Sequence, residues 1–289
     1  MDYFERIQNA IEFIEENLEE EIEINEVASK AFFSAFHFQR LFQAISGFSV
    51  QEYIRKRRLS EAAVLLKKTN KNILDIAISY QYNSQEAFTR AFKGYFDITP
   101  AAYRKTNINV NKQNKINFLD YRKNIKGEIN MNKPDIIILT KINITGYEYK
   151  TNLNDYEYFK NIPEFYNDFG KNEYYLRIPQ RSKPSICYGI ACNFQDNGGF
   201  SFIIGEEVDA FSEDIDNNFV NLEVPEGKYA EFKICGAVDL VQNARRYIYS
   251  NWLPNSNYER REGPDFEITD VRNSRFPNNI NMKIYIPIK

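Results

Sequence analysis

The chain has 289 residues, 43% of them apolar and 27% charged, and a formal net charge of −3; that is enough chain and enough apolar material for two ordinary cores. Three Cys without a CxxC pair and a single His, His37, leave no disulfide framework and no thiolate or His-rich metal site, and confine His-dependent catalysis to one position. No run of about eighteen apolar residues and no signal peptide occurs, so the expected setting is the cytoplasm, with no membrane contact and no cofactor.

The charge is uneven along the chain. Residues 1–26 carry ten acids and one Arg, 27–105 thirteen basic and five acidic side chains, 106–133 six and two, and 134–289 seventeen and twenty-three. A positive stretch between acidic flanks suits a module that meets phosphates joined to one that does not. Residues 1–20 open with an apolar stripe, Ile7, Ala10, Ile11, Ile14 and Leu18, and predict an amphipathic helix.

A duplication follows. SAFHFQRLFQAISGF, residues 34–48, and SQEAFTRAFKGYFDI, residues 84–98, match when shifted by fifty positions, pairing Ser34 with Ser84, Phe38 with Phe88, Arg40 with Arg90, Phe42 with Phe92, Ser49 with Thr99 and Tyr53 with Tyr103. Each copy predicts a helix capped by its Ser. The buried stripes are Phe38, Leu41, Phe42 and Ile45, then Phe88, Ala91, Phe92 and Tyr95. The outward faces carry Phe36, Gln39, Arg40 and Gln43 in the first copy, and Gln85, Glu86, Thr89, Arg90 and Lys93 in the second. Short apolar helices, VASKAFF and ILDIAISYQYN, precede them, which completes two helix-turn-helix units whose second helices offer polar sides to a major groove.

Between the copies, Gly47 stops one helix and Ser49 caps the next, predicted over Val50 to Lys68 and about 28 Å long. Such a rod sets two reading helices toward successive grooves about 34 Å apart. Its RKRR run, Arg55–Arg58, is a candidate for phosphate contact, with an Arg57–Glu61 pair at i+4 as the competing reading. Asn72 and Asp75 predict a reciprocal cap, and AAYRK closes an all-α domain of about seven helices over residues 1–105. His37, beside the reading face, is expected to make a minor DNA contact.

HFQRLFQAISGFSVQEYIRKRRLSEAAVLL and ILDIAISYQYNSQEAFTRAFKGYFDITPAAYR together resemble the DNA-binding domain of AraC/XylS-type transcription regulators, and placing this domain first is the Rob-type order. The resemblance implies that Phe36, Gln39, Arg40, Gln85, Glu86, Thr89 and Arg90 face double-stranded promoter DNA, with RNA polymerase as a further partner. Arg40 and Arg90 suit bidentate pairing with guanine, phosphate contact being the alternative, and Lys93 suits phosphate. Glu86 stands where Rob-like proteins carry Gln; a carboxylate accepts from cytosine N4 but repels phosphate.

Residues 106–133, Asn- and Lys-rich with little apolar pattern, read as a linker. From Pro134 the period becomes two: DIIILTKINITGYEYKT, SICYGIACNF, FSFIIGEEV, FVNLEVPEGKYAEFKICG, DFEITDVR and NMKIYIPIK predict strands, with helices over about Asp155 to Asp168 and about Asp239 to Leu253. The order gives an α+β fold of two similar halves. VPEGKYAEF, YIYSNWLP, NYERREGPDFEITD and KIYIPIK resemble the GyrI-like effector-binding domain over about 135–289. That resemblance implies a cleft between the halves, where an acid among aromatics receives bulky, often cationic ligands, and the matching acid is Glu267.

Alternation puts Phe266 and Ile268 on one side of their strand and Glu267 on the other, without choosing which side is inward; the resemblance favours Glu267. A carboxylate so placed is desolvated and draws a cation, with aromatic faces adding attraction. Trp252 ends the second helix, as a core anchor or a ligand contact. Tyr147, Tyr149, Phe165, Tyr188 and Tyr229 are expected to border the cleft as a group, and Glu206 and Glu207 are the alternative acids. The whole reads as a bacterial, non-enzymatic transcription regulator that senses a small amphipathic or cationic effector. Two other readings of the second domain stay open: a hydrolase with Glu267 and a nearby Tyr as acid/base pair, and a protein-binding module. Oligomeric state is open.

Overall fold

Seven helices form where the patterns put them: α1 Tyr3–Glu16, α2 Ile24–Lys30, α3 Ala35–Ser46, α4 Val50–Lys68, α5 Ile73–Ser79, α6 Gln85–Phe96 and α7 Pro100–Lys105. The structure is a computed structural model that describes residues 3–120, 133–153, 157–195 and 197–289. It divides into two units, Met1–Asn124 and Ile125–Lys289.

In the first unit the caps follow the sequence. Ser34, Ser49, Ser84 and Thr99 accept from the amides of His37, Glu52, Ala87 and Ala102, each satisfying a donor that the first helical turn leaves unpaired. Asn72 is an exception: its side chain makes no capping bond. Gly47 ends α3 in the left-handed region at φ 79°, and Asp97 does the same for α6 at φ 58°.

The duplication is also a duplication of packing. Phe38 and Phe42 lie 5.8 Å apart between ring centroids and Phe88 and Phe92 5.6 Å; Phe42 to Tyr53 is 5.6 Å and Phe92 to Tyr103 5.7 Å. A further ring completes each set. In the second copy it is Phe96 of α6 itself, 4.7 Å from Phe92. In the first copy position 46 is Ser, and Phe118 comes in from beyond α7, 5.6 Å from Phe42.

The stretch expected to be a linker therefore differs in its first part. Ile116 and Phe118 are buried, the Gln113 amide donates to Ser60 Oγ at 2.9 Å, the Ile116 amide to Tyr53 Oη at 3.2 Å and the Phe118 amide to Gln8 Oε1 at 2.8 Å. Two apolar residues eleven or more positions beyond α7 carry too little periodicity to be seen, yet they find an aromatic hole waiting. Residues 121–132 lie outside the described residues.

The second unit is one antiparallel sheet: β1 Asp135–Leu139, β2 Ile142–Asn152, β3 Ile186–Cys192, β4 Gly199–Glu207, β5 Phe219–Val224, β6 Gly227–Gly236, β7 Asp265–Asp270 and β8 Ile280–Pro287, in the order β1-β6-β8-β7-β3-β4-β2-β5. Exchanging β1 with β5, β2 with β6, β3 with β7 and β4 with β8 reproduces that order, so an internal pseudo-twofold runs between β3 and β7. The two similar halves are built as strand pair, helix, strand pair. Their helices are α8 Glu157–Lys171 and α9 Asp239–Tyr247, the second continuing through a π-helical turn, Ile248–Trp252. The start expected near Asp155 lies outside the described residues.

Residues paired across antiparallel strands share a face. On the helix-covered face Phe232, Ile284, Glu267, Gly189, Ile204, Tyr147 and Phe219 form one continuous row across seven strands. Its two central members, Glu267 and Gly189, sit on the pseudo-twofold. α8 packs over β2 and β4 and α9 over β6, leaving the seam between them above that centre.

Candidate DNA-reading face and effector site

On α6 the expected outward face is open. Gln85, Glu86, Arg90 and Lys93 are exposed and Thr89 half-buried, while Phe88 and Phe92 face the core. The Glu86 carboxyl is held below the usual carboxylate range by its own backbone N–H and by Ser84, with Arg90 one turn on adding to the effect. It thus sits at the positive end of the helix, where a carboxylate is favoured.

On α3 the pattern is met only in part. Phe36 and Arg40 are half-buried, with the guanidinium 5.7 Å from the Phe36 ring centroid. Gln39 and Gln43, read as outward, are 5% and 9% exposed. They are one turn apart and form a second covered line beside the apolar stripe. Amides that are covered leave no hydrophobic mark, so periodicity cannot report them. His37 is likewise a core residue, 4.5 Å from the Phe33 ring and 5.9 Å from Tyr3, not a reading-face residue.

Most of the RKRR run is structural. Arg57 is buried, bridging Glu15 at 2.6 Å and Glu61 at 2.8 Å and donating to the Gln113 carbonyl at 2.7 Å. Arg58 donates to the carbonyls of Leu18 and Glu20, and Lys56 pairs with Glu52 at 2.6 Å. Arg55 alone in the run is exposed.

In the second unit Glu267 points inward, 3% exposed. Tyr166 of α8 donates its hydroxyl to Oε1 at 2.7 Å, and Arg245 of α9 donates Nη2 to Oε2 at 2.5 Å. The two helices that straddle the pseudo-twofold thus each send one side chain to the carboxylate on it. Neither Tyr166 nor Arg245 was legible as a partner, because nothing in a helix pattern says which residue meets a strand 101 or 22 positions away.

The expectation of an acid seeking a cation is therefore corrected: Glu267 already has one. Burial pushes the Tyr166 hydroxyl up, and Glu267 pushes it further, so it keeps its proton and donates. Burial alone would pull the Arg245 guanidinium down, but Glu267 and then Asp265 outweigh it, so the net direction is up and the guanidinium keeps its charge. A carboxylate tied at both oxygens by an Arg and a protonated Tyr is a poor general base, which weighs against the hydrolase reading.

Gly189 makes this meeting possible. A Cβ there would stand 1.9 Å from Tyr166 Oη, 2.9 Å from Phe202 Cζ and 3.0 Å from Glu267 Cγ. Gly189→Ala is expected to displace Tyr166 and cost the second unit about 1–3 kcal/mol, read as a lowered urea midpoint. Adding Tyr166→Phe, which removes the clashing oxygen, is expected to recover part of the loss.

The residues grouped around the cleft split between two faces. Tyr147, Tyr149 and Phe165 share the helix-covered face with Glu267: Tyr149 stacks on Phe165 at 5.1 Å and Tyr147 on Tyr174 at 4.8 Å. Tyr188 and Tyr229 are on the other face, in a core with Phe266 and Tyr285. Tyr188 donates to Glu207 at 2.9 Å and Tyr229 to the Pro225 carbonyl at 2.7 Å. Tyr188 precedes Gly189 by one residue, and one step along a strand reverses the side. Trp252 packs edge-on against Phe232, 5.0 Å away, at the end of the central row.

Glu206 and Glu207 fall on opposite faces for the same reason. Glu206 is buried beside Arg181 at 3.4 Å, and burial raises its carboxyl above the usual range; Glu207 pairs with Lys183 at 2.9 Å. Two residues before Glu267, Asp265 is fully buried and receives Arg260 Nη2 at 2.8 Å and the Tyr249 hydroxyl.

The model of the family described as integron-associated effector binding protein matches residues 135–288, more than half of the chain, and a helix-turn-helix domain model matches residues 27–106. The chain belongs to the AraC family of DNA-binding transcription regulators, with an effector-binding domain second. The Right origin-binding protein of Escherichia coli K12 is 29% identical to this regulator over the full length of both. The Multiple antibiotic resistance protein MarA of E. coli K12 is 40% identical over 102 residues, 35% of this chain and 80% of that protein. Among solved structures, SAV2435 bound to tetraphenylphosphonium is 16% identical, with a TM-score of 0.44, over 55% of the regulator and 94% of SAV2435. Among the described residues no helix is long and apolar enough to cross a membrane.

Proposed function

We propose that this regulator reads promoter DNA through the exposed face of α6 and the outward side of α3, and that a small amphipathic molecule received over Glu267 alters DNA affinity or the contact with RNA polymerase. The observation that carries the DNA half is the face of α6, where Gln85, Glu86, Arg90 and Lys93 stand open with the aromatic core directly behind. Phe36 and Arg40 belong to the matching side of α3, and Gln39 and Gln43 join them only once they are uncovered. Thr89 completes the α6 set.

The effector half rests on Glu267, a buried carboxylate at the seam of α8 and α9, on the sheet face that also carries Tyr147 and Tyr149 and is covered by Phe165 and Trp252. An ion pair and aromatic rings under two helices are the mixed polar and apolar chemistry that an amphipathic molecule needs.

On an operator selected from random duplexes, Arg90→Ala in the full chain is expected to weaken binding by about 1–3 kcal/mol and to relax preference at one base pair. Lys93→Ala is expected to weaken all sequences alike and to lower the salt slope by about one. Electrophoretic or fluorescence titration at several salt concentrations measures both. Unchanged affinity and base preference in Arg90→Ala and Arg40→Ala together would remove the DNA-reading assignment.

A further inference from the structure

Glu267 is the residue at which a lipophilic cation would be expected to dock, and in this chain the place beside it is filled from within. Oε1 accepts from Tyr166 and Oε2 from Arg245, and the carboxylate is 3% exposed. The other fully buried acid on the same strand face, Asp265, has its own guanidinium, Arg260. Each buried acid at the seam is thus matched by one Arg, and a cation arriving without a counter-charge would bring an unbalanced charge into a desolvated site or have to evict Arg245.

The unmet need is of the opposite kind. Arg245 Nη1 is buried and has no hydrogen-bond acceptor, whereas Nη2 of the same guanidinium donates to Glu267. Thr269 Oγ1, two residues beyond Glu267 and on the same face of β7, is also buried without a partner. Buried polar atoms are nearly always satisfied; of the three unmet ones on the helix-covered face, Thr151 Oγ1 included, the two nearest Glu267 in the fold, one of them charged, mark where a bound molecule supplies what the protein does not.

Resting on the reading of this seam as the effector site, we infer that the effector is a neutral or zwitterionic amphipathic molecule that presents a hydrogen-bond acceptor to Arg245 Nη1, and that Arg245 is the residue that discriminates against a bare lipophilic cation. Aromatic side chains of the helix-covered face, Tyr166 with Phe202 at 5.9 Å and Trp252 on Phe232, take the apolar body. The acceptor, carbonyl or carboxylate oxygen, meets the donor that Glu267 leaves over. Specificity then comes from a balanced ion pair that keeps one donor free for the oxygen and leaves an incoming cation without a counter-charge.

The test uses two probes with the same three phenyl rings: triphenylphosphine oxide, neutral with an exposed acceptor oxygen, and methyltriphenylphosphonium, a cation with a methyl group in its place. The full chain is titrated with each, by calorimetry and by the emission of Trp252, the only tryptophan. The expected result is that the oxide binds at least about tenfold more tightly than the phosphonium. In Arg245→Met the order is expected to reverse, because Glu267 is left unpaired. Should that variant fail to fold, Arg245→Met with Glu267→Gln removes both charges and is expected to bind the two probes alike. Equal or tighter binding of the phosphonium by the unaltered chain overturns the inference while leaving the effector site standing. Binding of neither probe overturns the effector site and the inference with it.

Discussion

Phe118→Ala is expected to destabilise the first unit by about 3–5 kcal/mol, a loss of the size that removing a fully buried aromatic produces. Phe118 is 0% exposed and its ring contacts Phe42, itself 0% exposed and on the buried stripe of α3. The two copies of the duplicated unit explain why the cost is large. Phe92 has Phe96 as an additional ring from its own helix; the position equivalent to Phe96 is Ser46, so without Phe118 the first copy keeps a cavity that no neighbour is built to fill. The segment is also fixed by backbone, through Gln8, Tyr53 and Ser60, and by Arg57 on the Gln113 carbonyl. Denaturant unfolding of the full chain, followed by a probe in the first unit, measures the loss. Leu119→Ala, at an exposed neighbour, is expected to stay within about 0.5 kcal/mol. Because α3 carries Phe42 on one side and Arg40 on the other, the Phe118 variant is also expected to bind operator DNA more weakly at temperatures where the unit is still folded.

Asp265→Asn is expected to cost the second unit a similar amount, about 3–5 kcal/mol, since it strips the counter-charge from a guanidinium that has no access to water. The Arg260 and Asp265 side chains are 1% and 0% exposed, joined at 2.8 Å, with Tyr249 on the second carboxylate oxygen. Asp265 holds the Arg260 guanidinium above its ordinary range against the downward pull of burial, so the charge persists after the substitution and is left uncompensated. The double variant Arg260→Met, Asp265→Leu exchanges the pair for apolar groups of similar volume and is expected to lie within about 1 kcal/mol of the unaltered chain. Urea titrations of Arg260→Met, Asp265→Leu and the double variant form the cycle; a double variant as damaged as Asp265→Asn would show that the pair's geometry, not its charge balance, carries the stability.

Local regularities were legible and long-range meetings were not. The helices of the first unit, the Ser caps, the buried Phe of each copy and the reversal of face at every strand residue are written in spacings of a few positions, because a helix or strand repeats its own geometry every turn or every second residue. The same locality explains what was missed. Gln39 and Gln43 are polar and covered, Phe118 fills a hole opened by a Ser far behind it, and Tyr166 and Arg245 converge on Glu267 from separate helices; each of these is a relation between distant segments with no period to betray it. Composition and pattern were sufficient to specify two helix-turn-helix units followed by a two-halved α+β domain, since hydrophobic periodicity and turn chemistry act within one element. Which carboxylate lies on the pseudo-twofold, that its charge is answered from inside, and which buried donor stays unmet are decided only when the sheet closes in register and the helices settle over it, because burial and charge pairing are properties of neighbours in space rather than in sequence.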